Sequence, residues 1–201
     1  MTRTADQPSG NGTANSRVAL WHFPQSEPVI RPGQLHPEFD SGRASAAHVV
    51  RMGDKHRLVY WGGNPAGNYI LQAVAPVDSP NDWKPLGGPL IGPQPESDYN
   101  FQGPSFPFLL PVTDTYWPLY FCAWGNGKDG KLPNTTGVAI SEDAGKTWRN
   151  HDRNPILAPG AFNSHQRSCP CMVREGAELR CWYTGNNFGT TDMGYSTANG
   201  E

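Results

Sequence analysis

Little in this chain leans one way. Its 201 residues carry 16 basic and 18 acidic side chains, a formal net charge of −2. That balance makes no electrostatic case for nucleic acid or an anionic membrane as a partner. No apolar run approaches the length of a membrane-spanning helix. No segment sustains a 3.6-residue apolar period, so helix is a poor account of the pattern. Residues 1–16 are rich in Gly, Ser, Asn and Thr and lack the apolar centre of a secretory leader. They read as a floppy tail. At face value the chain is cytoplasmic, and secreted if its true start lies elsewhere. Nucleotide-binding loops, thiol-protease signatures and Ser-His-Asp arrangements are all missing. Cysteine is sparse, at positions 122, 169, 171 and 181. Cys169 and Cys171 straddle Pro170, which puts both on one face of a strand. A metal pair is the alternative there, but no Cys-x-x-Cys or His-x-x-x-His set accompanies them. The four therefore read as buried free thiols, and no metal is assigned.

Turn residues and aromatics are what the chain does have. There are 23 Gly and 20 Pro, with 7 Trp, 7 Tyr and 8 Phe. That is turn-rich, yet too aromatic for wholesale disorder. The pattern is organised around residues 141–159, SEDAGKTWRNHDRNPILAP. Ser141 to Trp148 reads as a tight hairpin turn. Asp143 folds onto nearby amides, Gly145 tolerates positive φ, and Trp148 opens the next strand. A proline-bounded apolar run from Pro155 ends it. The same ending follows Trp83, at Pro89-Leu90-Ile91, and Trp21, at Pro28-Val29-Ile30. The tryptophans lie 62 and 65 residues apart and the prolines 61 and 66 apart. A period near 60 marks a repeat architecture.

Short β-branched or aromatic runs bounded by Gly, Pro, Asn and Asp fill each period. In the first repeat they are 46–52, 57–61 and 69–75, with Trp83 opening a fourth. In the second they are 106–112, 119–124 and 137–141, with Trp148 opening a fourth. The third contributes 170–174, 179–184 and 193–196. His48, Pro107 and Pro170 superpose in this alignment, as do the strand ends at Trp61, Trp124 and Thr184. Four antiparallel strands per unit make a propeller blade. The predicted fold is all-β, a partial β-propeller over 17–201. An outer strand spans 17–38, blades span 39–97 and 98–161, and an incomplete blade spans 162–201. Three blades leave a strand edge and an apolar face at each end. The chain therefore reads as the N-terminal portion of a longer protein, and its oligomeric state is left open.

Strands ending Tyr-Trp-Gly-Gly, Ala-Trp-Gly-Asn and Tyr-Thr-Gly-Asn, followed by Trp and Asn-Pro-Ile-Leu, resemble the five-bladed propeller glycoside hydrolases. These are the invertase, arabinanase and levansucrase-like families 32, 43, 68 and 130. The resemblance covers about 17–201. It implies carboxylate acid/base chemistry on glycosidic bonds of an oligo- or polysaccharide, with no redox cofactor. Some relatives hold a structural Ca²⁺ in the channel, but no metal is committed for this chain. Residues 141–148 also match the Asp-box of six-bladed sialidases, a structural hairpin away from the active site.

In a propeller the innermost strand of each blade lines the channel, and the loops entering those strands converge at its mouth. Here the entry segments are 39–43, 98–102 and 162–167. Glycoside hydrolysis needs two carboxyl groups across the scissile bond. Asp40 and Asp98 are the carboxylates at these entries and the candidate catalytic pair. As turn residues, both could equally bond their own backbone. Arg43, Gln102, His165 and Arg167 present donors suited to sugar hydroxyls or a carboxylate. His48 could also face the channel. Trp61 and Trp124 read as inter-blade core rather than sugar-stacking platforms. The Asp-Pro and Arg-Asp-Pro motifs of the resembling families are replaced, at Ala46-Ala47-His48 and Arg167-Ser168-Cys169-Pro170. The family's general acid, a Glu of a later blade, has no counterpart in this stretch. A carbohydrate-binding propeller without catalysis and a protein-interaction propeller remain the alternatives.

Overall fold

The computed structural model describes residues 26–125, 134–158, 160, 164–187 and 190–199. The expected tail over 1–16, Trp21, and Phe162 and Asn163 of the third entry segment lie outside the described residues. Three antiparallel sheets follow one another along the chain. Blade 1 is β1 (Arg43–Met52), β2 (Lys55–Asn64), β3 (Gly67–Pro76) and β4 (Lys84–Pro85). Blade 2 is β5 (Pro104–Leu109), β6 (Trp117–Ala123), β7 (Thr135–Ser141) and β8 (Arg149–Asn150). Blade 3 is β9 (Gln166–Glu175), β10 (Glu178–Asn186) and β11 (Thr191–Asn199). Each sheet is a meander in which sequence neighbours pair. The first strands adjoin one another, β1 with β5 and β5 with β9. They thus form the inner edge, and all three enter from the same end. This is a partial β-propeller, as the sequence predicts.

Two local predictions change. Residues 26–36 fold as bends and turns, not as part of an outer strand over 17–38, and lead into a single helical turn, α1 (Pro37–Asp40). Pro37 at its first position loses no hydrogen bond there. The repeat alignment also shifts. Each inner strand carries a β-bulge, after Ser45, Ser105 and Ser168. The residue that follows has positive φ in every case: Ala46 at 49°, Phe106 at 45° and Cys169 at 54°. Ser45 faces Trp61, Ser105 faces Cys122 and Ser168 faces Thr184. His48 therefore corresponds to Phe108 and Cys171, and Trp61 corresponds to Cys122, not Trp124. The bulge falls at the same place in all three blades, so the bulge serines, rather than the aromatic strand ends, set the common register.

The proline-bounded endings do what their repetition suggests. Ile70 N–H donates to Ile91 O at 2.9 Å and Leu90 N–H to Ile70 O at 2.8 Å. In blade 2, Ile156 N–H donates to Thr136 O at 2.9 Å. Both endings thus prolong a fourth strand whose regular part is two residues long.

Alternation along the middle strands builds the core, because successive side chains leave opposite faces of a sheet. From β6, Leu119, Phe121 and Ala123 pack with Val59, Ile70 and Ile91 of blade 1. Its Tyr120 packs with Met172, Cys181 and Tyr183 of blade 3. A third cluster joins Leu35 to Leu58, Tyr60, Leu71 and Ala73 on the outer face of blade 1.

The Ser141–Trp148 turn closes the β7–β8 hairpin. Ser141 Oγ accepts the Gly145 N–H at 2.7 Å, and Asp143 Oδ1 accepts those of Lys146 and Thr147 at 3.0 and 2.9 Å. The Thr147 hydroxyl donates to Asp143 Oδ2 at 2.6 Å. Hydrogen bonds of this kind favour the ionised carboxyl and hold Asp143 well below the usual carboxylate range. Arg57 of β2 reaches across from blade 1. Its guanidinium donates to Ala144 O at 3.3 Å and Gly145 O at 2.9 Å, and to Gln72 Oε1. It also lies 4.9 Å over the Trp117 ring. Gly145 has φ of 77°, and a Cβ there would come within 2.8 Å of both Arg57 and Trp117. Turn geometry and blade contact therefore select glycine together.

Candidate functional site

The polar and aromatic groups at the starts of the inner strands form the candidate site. Asn68, at the start of β3, is its hub. Its Oδ1 accepts the Trp61 indole N–H at 2.9 Å and an Arg43 N–H at 3.4 Å. Its Nδ2 and its backbone N–H both donate to Gln102 O, at 3.2 and 2.9 Å. Gly103 permits this approach, since a Cβ there would lie 2.1 Å from Asn68 O. Arg43 stacks 4.2 Å over the Trp61 ring, a cation–π contact. Trp61 is 5.2 Å from Phe106 and 6.1 Å from Trp124, centroid to centroid. Trp61 is buried, Trp124 half-buried, and Phe106 is 39% exposed. The bulge at Phe106 turns a large ring outward at the channel edge, at the cost of a φ that non-glycine residues seldom adopt.

Arg43 and Gln102 are thus brought together, both exposed, through a residue that sequence reasoning did not single out. His165 and Arg167 lie at the blade 3 entry. His165 N–H donates to Asn186 O at 2.9 Å, as Gln102 N–H donates to Trp124 O at 3.0 Å. Gln102 and His165 therefore hold equivalent positions. Arg167 lies 5.9 Å over Tyr183, and a Cβ on Gly160 would collide with its guanidinium. Asp98 is exposed in the loop before β5.

Asp40 sits elsewhere. It is fully buried. Its Oδ1 accepts Gly33 N–H at 3.1 Å, and its Oδ2 accepts the Tyr60 hydroxyl at 2.8 Å and His36 N–H at 3.3 Å. Burial and the Asp40 carboxylate push the Tyr60 hydroxyl far above its ordinary range. His36 reaches Tyr60 Oη at 2.8 Å and Gly87 O at 3.0 Å, and burial lowers its pKa. The matching residue of blade 2 is Asn100, also fully buried, with Nδ2 donating to Gly92 O at 3.2 Å. Asp40 and Asn100 each stand five residues before a bulge serine, and so does Asn163 in the sequence. That spacing, readable in advance, marks Asp40 as one member of a repeated blade-entry brace.

His48 does not face the channel either. Its Nδ1 accepts Leu109 N–H at 3.2 Å and its ring lies 4.4 Å from that of Phe108, between blades 1 and 2. Burial lowers its pKa, consistent with an acceptor nitrogen. Cys169, expected to share a face with Cys171, turns at its bulge toward Cys122 of blade 2. Among the described residues no group of three or more His, Cys, Asp or Glu could hold a metal ion.

No family model matches the sequence. An uncharacterized protein of Mycobacterium tuberculosis is 30% identical over 167 residues, covering 79% of this chain and 52% of that protein. The chain thus spans about half the length of the curated relatives it matches. Among solved structures, a glycoside hydrolase superposes with a TM-score of 0.65 at 14% identity, over 81% of this chain and 55% of that one. Fructan 1-exohydrolase IIa of Cichorium intybus gives 0.64 at 13%, over 87% and 33%. A family 117 glycoside hydrolase of Zobellia galactanivorans gives 0.61 at 14%, over 77% and 52%. The fold is that of the propeller glycoside hydrolases, and at these identities the likeness speaks to fold alone.

Proposed function

We propose that this chain supplies a saccharide-binding rim to a protein acting on glycosidic bonds of an oligo- or polysaccharide. The observation that carries the reading is the rim itself. Arg43 stacked on Trp61, the Asn68 amide, exposed Gln102 and the outward ring of Phe106 lie together at the inner-strand entries. Aromatic faces cover the apolar face of a sugar ring, while amide and guanidinium donors take its hydroxyls. Asp98 is the accessible carboxylate of the two acid/base candidates, and Asp40 acts as a positioning residue for the blade 1 entry. A binding propeller without catalysis is the second reading. It is favoured by one fact: the blade 1 entry carboxylate is sealed among Tyr60, His36 and Gly33.

The test is a titration of the full chain with neutral and acidic oligosaccharides, followed by intrinsic tryptophan fluorescence. Trp61 and Trp124 report on the rim directly. One saccharide class should give a saturable change, and Arg43→Ala should weaken it at least tenfold. No saturable change with any class would overturn the proposal. Turnover of the bound sugar that Asp98→Asn abolishes supports the acid/base role, whereas binding without turnover selects the second reading.

A further inference from the structure

The seam between blades 2 and 3 contains two thiols that neither the fold nor the rim explains. Cys122 lies on β6, on the face that also sends Tyr120 toward Met172, Cys181 and Tyr183 of blade 3. Cys169 sits on the β9 bulge, with φ of 54°. Cys122 pairs with Thr136 of β7, whose hydroxyl donates to Arg167 O at 3.0 Å, two residues before Cys169, so the two thiols meet at one point of the seam and each shifts the other's pKa. Two serine hydroxyls close the group. Ser105 is the strand partner of Cys122 across β5 and β6, and Ser168 Oγ is 3.6 Å from Cys169 Sγ. These are the bulge serines of their respective blades, and both are fully buried.

The two thiols are not equivalent. Cys122 is 1% exposed. Cys169 is half-buried and lines a cavity of about 460 Å³ with Trp182, Thr184 and Asp192. Asp192 and Tyr183 are the other titratable groups besides the cysteines on that cavity wall. Cys122 across the seam lowers the Cys169 pKa to about 7, while Cys169 and burial push Cys122 itself well above the ordinary thiol value. An accessible, acidic thiol beside a sealed, protonated one is the arrangement of an attacking and a resolving cysteine.

We propose that Cys122 and Cys169 form a peroxide-responsive pair that closes to a disulfide across the blade 2–blade 3 seam. The Cys169 thiolate attacks one oxygen of a hydroperoxide. An S–O bond forms, the O–O bond breaks, and the departing hydroxide or alkoxide takes a proton. Cys122 then attacks the Cys169 sulfur. The S–S bond forms, the S–O bond breaks, and hydroxide leaves with the Cys122 proton as water. Two thiols lose two electrons in total and the peroxide gains them. The closed bond would tie β6 to β9 two residues beyond Arg167, joining the rim segments of two blades. It is independent of the saccharide reading.

The full chain treated with hydrogen peroxide should lose two hydrogens in intact mass, and a non-reducing peptide map should link Cys122 to Cys169. Dithiothreitol should reverse both changes. Cys122→Ser should instead accumulate a Cys169 sulfenic acid that dimedone traps, and Cys122→Ala, which keeps no donor, should slow Cys169 alkylation at pH 7 about tenfold. Serine is close in size to cysteine, and circular dichroism checks that each variant folds. A map in which both cysteines stay free, or in which Cys169 links to Cys171, overturns the proposal. So does an unchanged alkylation rate in a folded Cys122→Ala variant.

Discussion

The seam between blades 1 and 2 is tied by a buried guanidinium, whereas that between blades 2 and 3 is tied by a backbone amide and a hydroxyl. In the first, Arg57 spans from β2 to the β7–β8 turn, and His48 accepts an amide of β5. In the second, Arg167 N–H donates to Asn134 O at 2.9 Å and the Thr136 hydroxyl donates to Arg167 O at 3.0 Å. One four-strand unit thus meets its neighbour in two ways, with apolar alternation common to both. Alternation brings blades together, and a few polar groups particular to each seam set how they lock.

Breaking the shared apolar part should have the largest effect. Phe121 is fully buried at the first seam, and Phe121→Ala should lower stability by about 4 kcal/mol in urea unfolding. The matched change at the second seam, Met172→Ala, should cost about 2 kcal/mol, since Met172 is smaller and keeps some exposure. Equal losses would mean that the two seams carry the same apolar load.

Arg57→Ala tests the polar lock alone. It frees two turn carbonyls and Gln72, and should cost about 2–3 kcal/mol. Amide hydrogen exchange should rise in Lys146 and Thr147 while β9 and β10 keep their protection. Spread of the change into blade 3 would show that the seams are not separable.

The smallest effect is with pH. His36 and His48 are both lowered from the ordinary value of 6.5, chiefly by burial. For a lowered histidine the unfolded chain binds its proton first. Stability is therefore full above pH 6.5 and declines as pH falls through the folded-state values. His48→Asn keeps an acceptor for Leu109 N–H and should flatten part of that decline. An unaltered pH slope would mean that His48 plays no part in it.

Much of the architecture was legible because strand chemistry is local. Nine of the eleven described strands overlap a run that the sequence marks with β-branched or aromatic residues between Gly, Pro, Asn and Asp, and β4 and β8 directly follow the tryptophans expected to open them. The rim was only half legible. Arg43 and Gln102 could be named from their place before an inner strand. Asn68 could not, since it comes from a hairpin of its own blade and reaches the next blade's entry only in the folded state. Trp61, read as core, does pack between blades, yet it also carries Arg43 on its face.

By itself the sequence determined the repeat and the order of the strands, because these depend on spacing along the chain. Only the tertiary structure decided where the bulges fall, that Asp40 is sealed and Asp98 open, and that Cys169 turns to Cys122 instead of Cys171. Those outcomes depend on the neighbouring strand or blade. One extra residue in a ladder re-aims every side chain beyond it, and a carboxylate's surroundings are set by groups that distant parts of the chain bring to it.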